Sequence, residues 1–401
     1  MRKNLAFIAA LIFVFSVFKL YQMEILGNAR EQSSGIQLCD HCPPGFELTG
    51  DNRCVLVTPY QQYQSLRGQG VGGLQTALPQ VRDGFSPQQI DLGRYLFFDP
   101  VLSGDKTLSC ANCHNPDLGL TDGKAQSVGI YDAQLTRSAP TIWNVAFLKS
   151  FFWDARAKTL EEQMAGPLFS ANEMGNTPEK LLATVNGLPE YQRLFAIAFP
   201  EMGKNTVTLH EVCTAIAAFE SSLISLNSRY DQYVHGYHEA LNDKEIEGFN
   251  VFRSFVARCS ECHTPPLFTN QQIAVLGTPE PAGMALDIGA EKTFNDSSLR
   301  AGFKVPTLRN IEKTGPYMHS GVFDTLREAV AFYNKGRGHA VPKGEKLKLH
   351  WHIWEPKLTD YEIDRIVDFM KTLTDESFKP QVPETVPSGI ILKNKQTAFK
   401  Q

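Results

Sequence analysis

Cys-x-x-Cys-His occurs twice in this chain, as Cys110-Ala-Asn-Cys113-His114 and as Cys259-Ser-Glu-Cys262-His263. With 8 Cys and 10 His in 401 residues, chance supplies about 0.004 such pentapeptides per chain, so two copies constrain the fold more than any other feature. The pattern is the attachment sequence of c-type haem: both thiols add to porphyrin vinyl groups and the adjoining His offers one axial nitrogen. A pair of structural zinc sites would need four ligands each, and the partner Cys and His residues are missing. The motifs lie 149 residues apart, too far for one small haem module. The expected architecture is mostly α, with two cytochrome c-like haem domains and an N-terminal Cys-containing extension.

Arg2 and Lys3 precede an apolar stretch from Leu5 to Phe18, which Lys19 closes. This is the pattern of an export signal, and residues 1–30 are read as a signal peptide or an N-terminal membrane anchor. Either reading puts the bulk of the chain outside the cytoplasm, which in a bacterium means the periplasm, where disulfides persist. The balance of 39 basic and 43 acidic residues gives a net charge of -4, with no long basic run. Nucleic acid is therefore not an implied partner, and a membrane is implied only through the N-terminal anchor. Haem attachment uses four cysteines. Cys39, Cys42, Cys54 and Cys213 remain, and disulfides are the expected state, with three pairings open. The alternative for Cys39 and Cys42 is a redox-active or metal-binding pair.

Residues 31–84 carry many Gly, Gln and Pro with weak periodicity, as suits an extension packed over a domain surface. Residues 85–235 and 236–385 are read as the two haem domains, joined near residues 226–242, and 386–401 as a tail. Ser86-Pro87 and Thr177-Pro178 each pair an N-cap with a first-turn proline. Helical spacing runs from Leu209 to Leu226, through Val212, Ile216, Phe219 and Leu223. A further helix from Asp243 carries Ile246, Phe249, Phe252 and Phe255 toward the second motif. Thr325/Glu328 and Thr359/Glu362 are capping boxes, and the second opens a helix with Ile363, Ile366, Val367, Met370 and Leu373 on one face. No strand alternation is convincing.

The second axial ligands decide the chemistry, because a haem with an open position can bind and split peroxide while a six-coordinate one only transfers electrons. After His114 no His or Met appears before Met164, which favours an open first iron.

Leu-Ser-Gly-Asp at 102–105, Arg137-Ser-Ala-Pro140, Phe152-Trp153-Asp154-Ala-Arg156, Gln163, Gly166-Pro167, Asn172-Glu173-Met174, Val305-Pro-Thr-Leu-Arg-Asn310 and Gly315-Pro-Tyr-Met-His-Ser-Gly321 accompany the two motifs. Together they resemble the bacterial di-haem cytochrome c peroxidase and MauG family, over about residues 85–375. The resemblance makes the first domain peroxidatic and the second electron-transferring. The peroxidases carry a distal His sixteen residues past the first haem His, where this chain has Ile130. They carry an axial Met fourteen residues past His319, where this chain has Tyr333, as in the MauG branch. A phenolate is hard and anionic, so it favours oxidised iron and lowers the potential. Met318, Met370 and His319 are rival ligands; Met370 reads better as helix packing and His319 as a hydrogen-bonding residue.

The resemblance also implies Glu173 and Gln163 as the carboxylate and amide that handle peroxide, Trp153 as the electron relay between haems, and Pro167 as a residue shaping the distal pocket. On the residues alone, Glu173 reads as a solvated carboxylate, and Trp153 and Tyr333 as core aromatics. A calcium ion is implied near the domain interface, with a side chain from Ser138 and backbone oxygens of Thr314 and Pro316, although the family usually has Asn at the Ser138 place. The implied partners are hydrogen peroxide and a periplasmic protein substrate or redox partner. The leading reading is MauG-like oxidation of Trp or Tyr side chains through high-valent haem. The alternatives are peroxide removal with electrons from a small cytochrome or cupredoxin, and a two-haem electron carrier.

Overall fold

The structure is a computed structural model and describes residues 35–62, 77–203, 206–336 and 338–392. The export segment 1–30 lies outside the described residues, as do 63–76 of the extension and 393–401 of the tail. Among the described residues no helix is long and apolar enough to cross a membrane. Of the unit Met1–Leu38 only residues 35–38 are described, and they carry no regular structure.

From Cys39 onward the chain forms one unit. A hairpin of β1 (Phe46–Leu48) and β2 (Cys54–Leu56) opens it, antiparallel, with Glu47 opposite Val55. Six helices follow: α1 (Pro87–Phe98), α2 (Cys110–Cys113), α3 (Leu160–Phe169), α4 (Pro178–Asn186), α5 (Pro189–Ala198) and α6 (Leu209–Ser221). Then come α7 (Arg229–Val234), α8 (Asp243–Phe252), α9 (Cys259–Cys262), β3 (Ile273–Val275), α10 (Ala290–Phe294), β4 (Gly302–Lys304), α11 (Leu326–Lys335) and α12 (Asp360–Lys371). Strands β3 and β4 pair antiparallel, Ala274 opposite Phe303. Three-residue strands are too short to leave an alternating pattern in the sequence, which is why none was legible.

The expected caps are present. Ser86 caps α1 and forms a capping box with Gln89, Thr177 caps α4, and Thr325 and Thr359 form boxes with Glu328 and Glu362. Each half then repeats one device. In the first, α1 precedes the haem-motif helix α2 and packs on α6; in the second, α8 precedes α9 and packs on α12. Both crossings are made at glycine. A Cβ on Gly93 would collide with the Ala215 carbonyl oxygen, and one on Gly248 with the Arg365 carbonyl oxygen. Backbone-to-backbone approach of this kind lets the flanking aromatics interlock. Around the second crossing Phe249, Phe252, Phe268 and Phe369 form a buried core with Tyr230, Ile363 and Ile366.

Two helices are shorter than their spacing suggested. The one from Leu209 ends at Ser221 instead of Leu226, because the Asn144 side chain accepts from Ser225 N–H at 2.8 Å and donates to the Ser225 carbonyl at 2.9 Å. That clamp draws the backbone out of the helix. The helix from Asp243 stops at Phe252, and Arg258 in left-handed conformation (φ 55°) restarts the chain on a new axis for α9. Phe255 therefore lies outside the core, 77% exposed. The proposed linker is also structured. Helix α7 supplies Tyr230 to the second core, and its Asp231 binds Arg309 deep in the protein (Nη1 to Oδ2 2.5 Å). Arg309 also donates to the Pro266 carbonyl, which pins the loop that follows His263.

Of the four remaining cysteines, Cys42 and Cys54 form a disulfide with Cα atoms 5.5 Å apart, within bridging geometry. Cys39 and Cys213 are free, Cys213 buried on α6, so the expectation of disulfides holds for one pair only. Cys42 is committed to Cys54, and the redox or metal pair with Cys39 does not form. The bridged hairpin is held down by Cys54 N–H to the Phe85 carbonyl and by the Tyr60 hydroxyl, which donates to Asp231 at 2.5 Å. These contacts join the described hairpin segment to the helical body.

Candidate haem sites

Each attachment motif forms a single turn of helix that turns its His toward a cavity. On α2 the Ser109 N–H donates to the Asn112 side chain at 2.8 Å. The His114 Nδ1 lies 3.0 Å from the Leu120 carbonyl oxygen, and His263 Nδ1 lies 3.1 Å from the Phe268 carbonyl. An Nδ1–H held by a carbonyl fixes ring and tautomer and leaves Nε2 as the free donor, the usual arrangement for a metal-ligating His. Burial lowers the basicity of both rings, His263 to about 4, so each stands neutral and ready to ligate. The residues present therefore fit two covalently attached haems.

The first cavity is lined by Cys110, Cys113 and His114 with Gln163, Pro167, Glu173 and Trp153, so every residue expected at the peroxide site comes together. Gln163 and Pro167 sit on α3. Pro167 lies inside that helix, and its carbonyl accepts from Met174 N–H at 3.0 Å, which folds the Glu173 turn back over the cavity. Burial pushes the Glu173 carboxyl above its ordinary range, with the Ser170 hydroxyl and Arg156 opposing. Ile130, in the place of a distal His, is buried and its N–H donates to the Glu173 carbonyl at 2.8 Å. Its side chain packs toward Gly175. Met164, Met174 and Met284 share this wall, and the Met284 sulfur accepts from the Gln126 amide.

The second cavity is lined by Cys259, Cys262, His263 and Tyr333. Burial holds the Tyr333 phenol well above its ordinary value, and the two cysteine sulfurs push the same way. The rivals Met318, His319 and Met370 line this cavity too; Met370 is also packed into the second core. His319 Nε2 lies 2.9 Å from Glu280 Oε1, its ring stacked on Phe303 at 3.7 Å. Trp153 lines both cavities. Its indole N–H donates to the Ser138 carbonyl at 2.9 Å, and its ring meets His319 edge-on at 6.5 Å.

Ser138, Thr314 and Pro316 all reach the second cavity wall. The Ser138 hydroxyl, however, donates to the Met318 carbonyl at 3.0 Å. That set offers one engaged hydroxyl and backbone carbonyls with no carboxylate, a poor match to the oxygen-rich, anionic shell calcium takes.

Several further wall residues were given no role from the sequence. Arg137 donates to Asp287 through Nε (2.6 Å) and Nη2 (2.9 Å) and to Asp154 through Nη1 (2.8 Å). Lys304 lines both cavities. Glu220 is buried on the first wall, its carboxyl pushed up to about 8 by burial. His352 lines the second cavity with Nδ1 buried and without a hydrogen-bond partner, and the Cys262, His350 and His352 donor atoms lie within 4.8 Å of one another. Arg137 and Lys304 stand in or beside the motif stretches; Glu220 and His352 lie outside any pattern.

The sequence profile of the di-haem cytochrome c peroxidase family matches residues 87–239. The chain is 36% identical to cytochrome c551 peroxidase of Nitrosomonas europaea over 75% of its length and 84% of that protein. It is 32% identical to the methylamine utilization protein MauG of Methylorubrum extorquens, covering 75% and 82% respectively. A solved MauG-like protein associated with microbial copper homeostasis superposes with a TM-score of 0.67 at 32% identity, over 75% of this chain and 93% of that one. Relatives of both kinds align with the chain over most of their own length, and the chain belongs to the di-haem cytochrome c peroxidase family of peroxide-dependent haem oxidoreductases.

Proposed function

We propose that this chain is an exported, periplasmic enzyme that consumes hydrogen peroxide at the first cavity and uses the oxidising equivalents on Trp or Tyr side chains of a protein partner, in the manner implied by the MauG branch. Bound haem supplies a peroxide-reducing iron at the first site and a second redox centre at the other. The chain's own residues handle protons and position. Glu173 takes a proton from the near oxygen of peroxide and returns it to the departing one, while the Gln163 amide orients the oxygens; proton transfer of this kind contributes about 10²–10⁴-fold. Trp153, between the cavities, connects the two redox centres. The Cys42–Cys54 bridge suits an oxidising compartment.

The observation that carries the reading is Tyr333 in the second cavity, whose wall it shares with Met318, with His319 held by Glu280 and with Met370 packed in the second core. Burial opposes loss of the Tyr333 phenol proton; a haem iron held by His263 would offset that, and a phenolate there would favour an oxidised, low-potential centre. A rim of exposed aromatics near this site, Phe255 under Arg258 and Trp351 against His352, gives a protein partner an apolar landing surface. The second reading, simple peroxide removal with electrons from a small redox protein, is favoured by the 36% identity to a cytochrome c551 peroxidase.

EPR of the resting ferric protein separates them. A high-spin first haem beside a low-spin second one, followed by a long-lived oxidised form after peroxide, supports the MauG-like reading; two low-spin signals would sink it. Tyr333→Met is expected to raise the potential of the second haem and shorten the lifetime of the oxidised form. Unchanged spectra would remove Tyr333 as ligand and turn attention to His352.

A further inference from the structure

Lys304 ends β4 and lines both cavities. Its backbone N–H donates to the Trp153 carbonyl oxygen at 2.7 Å, so the residue is tied to the ring that also borders both sites. Three of the acids that line the first cavity with it are already committed. Asp154 serves Arg137 and Arg156, Asp287 serves Arg137, and Glu280 serves His319. Burial pushes the Lys304 ammonium down to about 8 with no charged side chain offsetting it. Lys304 is half-buried on this wall, an ammonium partly withdrawn from water without an anion is costly, and among the described residues no carboxylate offsets it.

Haem brings such an anion, since its propionates are its only ionised side groups. We propose that Lys304 is the counter-ion of a haem propionate at the wall shared by the two cavities, and that its charge raises the reduction potential of that haem. This rests on the two-haem content of the family and not on which partner is oxidised. A fixed cation beside a haem stabilises the reduced, less positive state by simple Coulomb attraction. The same charge, joined through the backbone to Trp153, disfavours a positive hole resting on the indole and keeps oxidation on the haems.

The test uses the full-length holoprotein as Lys304→Met and Lys304→Arg, with the reduction midpoint of each haem followed by its own visible bands. In Lys304→Met one haem is expected to shift about tenfold toward ferric at fixed potential, about 59 mV for a one-electron couple, while Lys304→Arg stays near wild type. Which haem moves identifies whose propionate is held. Unchanged midpoints in Lys304→Met with both haems attached, or an equal shift in Lys304→Arg, would overturn the proposal. The propionate-bending band in resonance Raman spectra gives a readout that survives if the neutral variant fails to mature. A shift between wild type and Lys304→Arg is expected, and an identical band argues against the contact.

Discussion

At Glu173 the direction of ionisation decides how activity follows pH. In the proposed role the working form is the carboxylate, and burial raises its pKa above the ordinary value. The rate with peroxide should therefore rise with pH through an ionisation above the ordinary glutamate range and level off beyond it. Glu173→Gln should lose that step and about 10²–10⁴-fold in rate, measured by stopped-flow under excess peroxide. Glu220 behaves differently. Its folded pKa of about 8 lies above its ordinary 4.5, so the unfolded chain releases the proton first as pH rises. Stability from this group is present below about 4.5 and is lost progressively up to about 8. Glu220→Gln should flatten that part of the profile in thermal melts from pH 5 to pH 8 (roughly the window of linkage); a wild-type-like slope would refute it. The attachment residues were legible one by one because covalent chemistry needs an invariant spacing. Glu220 and His352 were not, since burial beside a cofactor leaves no local pattern.

Among the elements, the N-caps were the most readable features, because Ser86, Thr177, Thr325 and Thr359 satisfy backbone N–H groups within their own first turn. Helix ends were less so. The clamp of Asn144 on Ser225 and the restart at Arg258 are set by contacts or conformations that periodicity does not record. The repeat of helix, haem motif and closing helix was suggested by order alone, and its physical mark is a glycine at each crossing. Gly248→Ala would improve helix propensity by about 1 kcal/mol, yet its methyl meets the Arg365 backbone, which cannot rotate away. A net destabilisation of about 1–3 kcal/mol is expected from this overpacking, read as a lowered Tm with both haems retained. Gly93→Ala should do the same against Ala215.

For the whole molecule, the proposed relay rests on Trp153, which lines both cavities. Trp153→Phe removes the indole and its bond to Ser138 while keeping an aromatic ring. Peroxide should still be consumed at the first cavity, but oxidation of the second haem should slow, visible as a lag between the two sets of haem bands; synchronous changes would refute a relay at this position. The sequence by itself determined the cofactor class, the haem-attachment residues and the mostly helical architecture, because thiol spacing, caps and helical periodicity are local properties of the chain. Only the tertiary structure decided that Cys42 pairs with Cys54 while Cys213 stays buried and free, that the Glu173 turn is folded against Ile130, and that Trp153 and Lys304 share one wall. These depend on segments far apart in the chain meeting at set distances, and no short window of residues encodes such a meeting.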